Sequence, residues 1–356
     1  MNRKTRYTGM RRLNGYLLAA FLLLGACSGE ESVGDFLQGN IPICFNGDIP
    51  KTKAVKKYIG TTDLTDIGVF AYFTHGDFNE NTSTPNFMYN QPVKKQTDGT
   101  WFYSPVKFWP DNKTADKISF FAYAPYVNES ENSTFSFQDK KTTSGFPVLS
   151  YTVPTTEYKQ IDFLAATPIM NQNNGNVSFR LHHTLTKIDI YIKSNDNTEG
   201  KYVTFFSITG TKSGTLTYYA PAIDNDKGWK WIYSSSKEKE TFIANITNFS
   251  IPNTISEKKK LLATFFLLPD GEGSKFNIIY QYMAKDKNNN SIIQTINLKD
   301  QSLPSTNSWN PGASVNYTIG IAKKAITVMP ENDPAPWEGD TDTETVNGTE
   351  EKQETN

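Results

Sequence analysis

Histidine and cysteine are scarce. The 356 residues include three His and two Cys, too few for a His- or Cys-rich metal site or a disulfide framework. Charge of one sign is also missing: 36 basic residues stand against 37 acidic ones, a net charge of −1. Nucleic-acid binding needs a clustered basic excess, so nucleic acid is not an expected partner. The chain has no glycine-rich phosphate loop, no Cys-x-x-Cys, no His-Glu-x-x-His and no Gly-x-Ser-x-Gly. Nucleotide, zinc-hydrolase and serine-hydrolase chemistry therefore lose their motif support. No cofactor, metal or catalytic residue is expected, and the chain reads as a non-enzyme. Its many Asp and Glu leave a carboxylate pair for glycoside hydrolysis open, with no motif to place it.

Aromatic residues are abundant, at 13% of the chain. Phe and Tyr favour strands, and a period of two dominates the sequence. Ile67, Val69, Ala71 and Phe73 alternate, as do Ile118, Phe120 and Ala122, with Phe121 and Tyr123 on the opposite parity. Phe276, Ile278, Tyr280 and Tyr282 mark a third strand, and Val315, Tyr317, Ile319 and Ile321 a fourth. Ile326 and Val328 mark a fifth, after Lys323-Lys324. Short alternating runs separated by Gly, Asn, Pro and Asp clusters predict an all-β sandwich architecture. Parity switches between Leu185 and Ile188, so a bulge or sharp bend is expected near Thr186-Lys187. His183 then faces inward as a hydrogen-bonded core imidazole, His182 faces outward, and His75 has no partner visible in the sequence. Asp270-Gly-Glu-Gly273 lacks the alternating ligands of a calcium loop and reads as a hairpin turn. Trp229 and Trp231 share one parity; they are core if buried and a sugar-stacking platform if exposed.

The first 26 residues hold five basic residues, no acidic one and a short apolar run, Tyr16 to Leu24. That run is too short to span a bilayer and reads as a secretory signal. It ends in Leu24-Gly25-Ala26-Cys27, which resembles a bacterial lipobox and marks Cys27 for lipidation. Several acyl chains on one residue give stable anchoring. Ser28-Gly29-Glu30-Glu31 reads either as a surface-export signal or as a solvated tether. Loss of residues 1–26 takes the net charge from −1 to −6. With Cys27 lipidated, Cys44 is left as a buried, inert thiol with no disulfide partner. Residues 27–175 are expected to form an N-terminal sandwich and 176–337 a C-terminal one, divided by the Asn-rich loop 171–176. Residues 338–356 read as an acidic, disordered tail.

Four ordered signatures carry a resemblance. The first joins Ile41-Pro-Ile-Cys-Phe45, Thr52-Lys53-Ala54 and Thr65-Asp-Ile-Gly-Val-Phe-Ala71. The second joins Trp101-Phe-Tyr-Ser-Pro-Val-Lys-Phe-Trp-Pro110 and Asp116-Lys-Ile-Ser-Phe-Phe-Ala-Tyr-Ala-Pro-Tyr126. The third joins Asp162-Phe-Leu-Ala-Ala166 and Phe179-Arg-Leu-His-His-Thr-Leu-Thr-Lys-Ile188. The fourth joins Trp309-Asn-Pro-Gly312, Tyr317-Thr-Ile319, Ile326-Thr-Val328 and Trp337. Behind a lipobox, this order resembles the fimbrillin family of Bacteroidales, also called fimbrillin-like or Mfa-like proteins.

The resemblance implies a type V pilus subunit with two tandem transthyretin-like β-sandwiches, exported as an outer-membrane lipoprotein and carried into a fimbrium that supports adhesion. A trypsin-like surface protease would remove an N-terminal strand, and another subunit would fill the vacated groove by strand addition. Ile41, Ile43 and Phe45 share parity and suit the removable strand, with Cys44 facing the other way. Lys51, Lys53, Lys56 and Lys57 follow as cleavage candidates, and read equally as a solvated edge loop. The family often carries Arg where this chain has Lys53. Ile326 and Val328, within Ala325 to Trp337, are the candidate donor strand. The acidic tail after them departs from a terminal donor strand and keeps a non-polymerising anchor open. The implied partners are other pilus subunits, the outer membrane, the protease and a host or bacterial receptor. The other class of function is a surface glycan-binding lipoprotein that uses exposed aromatics such as Trp229.

Overall fold

The computed structural model describes residues 41–48, 64–111, 114–131, 133–137, 141–223, 226–304, 309–323, 325–330 and 335–336. The described chain is all-β apart from one short 3-10 turn at Glu157–Lys159. Its first strands are β1 (Phe45–Asp48), β2 (Asp66–His75), β3 (Met88–Lys95), β4 (Trp101–Phe102), β5 (Asp116–Ala124), β6 (Phe135–Phe137) and β7 (Val148–Thr152). Then come β8 (Leu164–Ala166), β9 (Ile169–Gln172), β10 (Val177–His183), β11 (Thr186–Ser194), β12 (Tyr202–Thr211), β13 (Ser213–Tyr218), β14 (Trp229–Ile232) and β15 (Lys239–Ile243). The last are β16 (Phe249–Ser250), β17 (Lys260–Leu267), β18 (Lys275–Lys285), β19 (Ser291–Ser302), β20 (Ala313–Ile321), β21 (Ile326–Pro330) and β22 (Ala335–Pro336).

The first sheet runs β1-β10-β8-β5-β2-β3-β4, with β9 also on β5. Its two central strands are buried on both faces, because both parities of β2 and β5 are apolar. Ile67, Val69, Ile118 and Phe120 point into one core, and Phe70, Tyr72, Phe121 and Tyr123 into another. A four-stranded sheet, β14-β13-β7-β6, covers the second face. There Phe121 and Tyr218 meet edge to face at 5.5 Å, and the Tyr218 hydroxyl donates to the Ala122 carbonyl at 2.6 Å. Such ring pairs add to the stabilisation from burial alone.

Two further sheets run β17-β11-β20-β21 and β15-β12-β18-β19, with β22 on β20 and β16 on β12. Ile188, Ile190 and Tyr317 of one sheet share a core with Phe206, Ile208 and Ile278 of the other. β12 leads through Lys212 into β13, so one chain segment serves this sandwich and the four-stranded sheet.

The division expected at residues 175/176 falls inside the first sheet, since β9 and β10 both belong to it. The chain leaves that sheet at Thr184-Leu185, two residues before the bend expected near Thr186-Lys187, which already pair within β11. His183 is a core imidazole, its Nδ1 2.9 Å from the buried Asp162 carboxylate. His182 differs from expectation. It is buried, with Nε2 3.1 Å from the Thr167 hydroxyl, because the chain just before β9 covers the outer side of β10. His75 does have a partner, Asp116, at 2.6 Å.

The 270–273 segment is not a hairpin. It joins β17, which pairs with β11, to β18, which pairs with β12 and β19, so it crosses between sheets. Burial of the Asp270 carboxyl favours its neutral form. The Thr211 hydroxyl at 2.5 Å and the Lys239 and Lys237 ammonium groups at 3.3 and 3.4 Å outweigh that and hold the pKa below the usual range. Lysines stand where a cation would.

Candidate functional site

Residues 41–48 lie as an added strand in a groove of the first sheet. Pro42 and Phe108 form an antiparallel bridge, the Ile43 N–H donates to the Lys107 carbonyl, and the Trp109 N–H donates to the Ile41 carbonyl, both at 2.9 Å. On the other side the Val177 N–H donates to the Cys44 carbonyl at 2.9 Å, and β1 then pairs in parallel with β10 from Phe45↔Val177 to Asp48↔Arg180. Residues 107–109 and β10 therefore form the walls, and each would expose unpaired backbone groups without the segment between them.

The groove floor is aromatic. Phe45 is 1% exposed and stacks on Phe179 at 5.8 Å, with Tyr103 at 5.1 Å and Phe120 at 5.8 Å. Ile43 is wholly buried beside it. The Tyr103 hydroxyl donates to the Ile43 carbonyl at 2.9 Å and accepts the Lys107 N–H at 3.1 Å. Desolvation pushes the Tyr103 phenol up to about 12, against the opposing hydrogen bond with Lys107, so it stays a donor at neutral pH. Trp109 fixes the outer wall by donating its indole N–H to the Gly175 carbonyl at 3.0 Å.

Two expectations for this segment need correction. Ile41 shares parity with Ile43 and Phe45 yet is 50% exposed, because it sits at the groove mouth, where only its carbonyl is engaged. Cys44 is buried and disulfide-bonded rather than a partnerless thiol. The expectation assumed that lipid had consumed the only other sulfur, and an unmodified thiol remains oxidisable. Cys27 lies outside the described residues, as do Lys51, Lys53, Lys56, Lys57, the signal 1–26 and the tail 338–356. The four lysines belong to the 49–63 stretch between β1 and Leu64.

A second edge lies in another sheet. β21 pairs antiparallel with β20, from Ile321↔Ile326 to Tyr317↔Pro330. Ile326 and Val328 are half-buried against the larger core, so the candidate donor strand occupies its own subunit's sheet edge. A polar clamp holds its start. The Asn195 amide donates to the Thr327 hydroxyl at 2.8 Å, and the Asp196 carboxylate accepts the Lys323 N–H at 2.8 Å and the Lys201 ammonium at 2.5 Å. Burial opposes ionisation of Asp196, but the Lys201 hydrogen bond and the Thr198 and Lys323 N–H groups outweigh it, with Lys201's charge, and bring its pKa down to about 2.

A carboxyl whose pKa falls on folding stabilises the fold above its unfolded pKa, and that contribution is lost as pH drops towards the folded value. Asp196→Asn is therefore expected to lower stability by about 1–3 kcal/mol at neutral pH. The melting-temperature gap to the parent chain should hold above about pH 4 and close near pH 2. A gap that is independent of pH would show that the carboxylate charge does not hold this hairpin.

The comparisons bear on what these edges are for. A sequence model described as fimbrillin-like matches residues 52–337. The chain belongs to the fimbrillin-like family. It is 30% identical to the fimbrium subunit Fim1C of Phocaeicola vulgatus over 326 aligned positions, covering 78% of this chain and 83% of that one. The crystal structure of a fimbrial protein from Bacteroides vulgatus superposes with a TM-score of 0.64 at 24% identity, over 83% of this chain and 99% of that chain. The fimbrillin-like match begins after β1 and includes both groove walls and β21. The walls are what sequence reasoning missed. Their signal was the run from Trp101 to Pro110, whose ring density marked a buried lining rather than another strand.

Proposed function

We propose that this fimbrillin-like chain is a structural pilus subunit that polymerises by strand exchange. The observation that carries the reading is the Ile43–Phe45 segment: its side chains complete a core, while its backbone lies at a sheet edge next to a lysine-rich stretch. After export, lipidation at Cys27 takes the chain's other sulfur out of the disulfide with Cys44, and a trypsin-like surface protease cuts at Lys51, Lys53, Lys56 or Lys57. The freed groove takes an extended strand from a neighbouring subunit, with alternate side chains replacing Ile43 and Phe45. Ile326 and Val328 offer that alternation on β21, once it leaves β20. The subunit forms two β-sandwich units, between which the chain passes first at Thr184-Leu185 and again at Lys212 as β12 leads into β13, and it stands at the outer membrane before joining the fimbrium. The acidic stretch after β21 departs from a simple terminal donor strand and keeps an anchor or minor-subunit role open beside the main stalk.

N-terminal sequencing of protein recovered from surface filaments tests this. A start between residues 52 and 58 is the expected result. Filament protein that still carries residues 41–48 would sink the exchange step.

A further inference from the structure

A second concave site lies away from the groove, on the face of β14. Trp229, Trp231 and Tyr233 recur at every second residue there and so project to one side of the strand. With Tyr219, Pro269 and Pro311 they line an open cleft of about 500 Å³. The ring positions are fixed from below. A Cβ at Gly214 would come within 3.1 Å of both the Trp231 and Tyr233 rings, so those rings lie directly on the β13 backbone. The Trp231 indole N–H is held by the Thr184 carbonyl at 2.7 Å.

Two polar groups in this lining are not explained by the fold. The Trp229 indole N–H and the Tyr233 hydroxyl are both buried, and no described residue bonds to either. Trp229 itself is only 5% exposed and belongs to the larger core, so its ring is core and not a stacking platform, and only its indole N–H bears on the cleft. A buried donor left unpaired is costly, and here two of them occur in one cleft. The charges at the rim point the same way. Lys230 takes the alternate position of β14 and is exposed, yet it also lines the cleft, at its rim, with its ammonium 5.9 Å from the Tyr219 ring centroid. The Asp226 carboxylate is already engaged by the Tyr219 hydroxyl at 2.6 Å and by the Gly228 and Ala222 N–H groups at 3.1 and 3.2 Å. Those bonds, the Tyr219 hydroxyl first, hold its pKa below the usual range despite the opposing effect of desolvation. The cleft therefore offers donors and ring faces, while its acidic group is internally satisfied.

We propose that this cleft binds a carboxylated saccharide. The apolar C–H faces of the sugar lie on the Trp231 and Tyr233 rings, ring oxygens and hydroxyls accept from Trp229 and Tyr233, and the carboxylate pairs with Lys230. Concave, largely aromatic sites with a few placed polar groups are the usual form of small-ligand sites. The assignment is independent of strand exchange, since no cleft residue belongs to β1, its walls or β21.

The test is a titration of the full chain with tri-galacturonic acid, followed by tryptophan fluorescence and calorimetry, with a neutral maltotriose arm and an extended acidic peptide arm. Saturable binding of the uronate is expected, with maltotriose at least tenfold weaker. Lys230→Glu should weaken uronate binding at least tenfold, and Lys230→Arg should retain it. Trp231→Ala should abolish it. Because Trp231 also packs on the core, Lys230→Glu serves as the variant at an exposed position, with an unchanged melting temperature as its control. Absence of uronate binding at millimolar concentration, equal binding of maltotriose, indifference to Lys230→Glu, or preference for the peptide would each overturn the proposal.

Discussion

Replacing Phe45 with alanine is expected to destabilise the chain by about 3–5 kcal/mol, the range for removing a buried aromatic side chain from a packed core. The ring is 1% exposed and meets three other rings between 5.1 and 5.8 Å, so little can collapse into the space it leaves. Ile41 is the internal control. It has the same parity in the same segment but is 50% exposed, and Ile41→Ala should stay within about 0.5 kcal/mol. Denaturant unfolding of both variants decides the matter. Equal effects would mean that residues 41–48 are not seated as described, because their sequence pattern alone does not distinguish the two positions.

That contrast shows where the sequence was legible. Alternation identified β2, β5, β18, β20 and β21, because each has a run of apolar residues at a period of two. It placed His183 inward and put the bend near Thr186-Lys187, two residues after the true turn at Thr184-Leu185, because a parity switch must be absorbed somewhere but its exact position is not fixed by parity. It could not say that β2 and β5 are buried on both faces, since a half-covered and a fully covered strand differ only in what lies across from them. The same limit misplaced His182: an imidazole of outward parity is buried when another segment folds over it. It also misread Asp270-Gly-Glu-Gly273, whose turn chemistry suits a crossing between sheets as well as a hairpin. The division at 175/176 followed an Asn-rich loop, which marks a turn at the surface but not a change of sheet.

The candidate site was legible by half for a related reason. Ile43 and Phe45 were visible as alternating apolar residues, but their groove is built from residues far along the chain. Tyr103, Trp109 and Phe179 come together only through tertiary pairing, and no local pattern records that. The parallel pairing of β1 with β10 is likewise a long-range choice. It joins the segment to the sheet by backbone bonds and side-chain burial alone, which are the interactions a strand from another chain can reproduce.

A chain beginning at Ala54 should therefore behave differently from one that retains β1. It loses the burial of Ile43 and Phe45, roughly 1.5–3 kcal/mol for each side chain, and exposes the Phe120, Phe179 and Tyr103 floor as well as two lines of backbone donors and acceptors. Such an edge recruits any strand of suitable pattern, so the truncated chain is expected to melt at a lower temperature and to self-associate in a concentration-dependent way. A synthetic peptide spanning residues 41–48 should bind it, restore the monomer and raise the melting temperature with peptide concentration, as mass action requires. The same peptide with Ile43→Asp and Phe45→Asp should do neither, because the backbone bonds remain possible but charged side chains would enter an aromatic pocket. Light scattering and thermal melts read both effects. A truncated chain that stays monomeric, melts like the parent and ignores the peptide would show that the groove closes on itself. Strand exchange would then have no empty acceptor to act on.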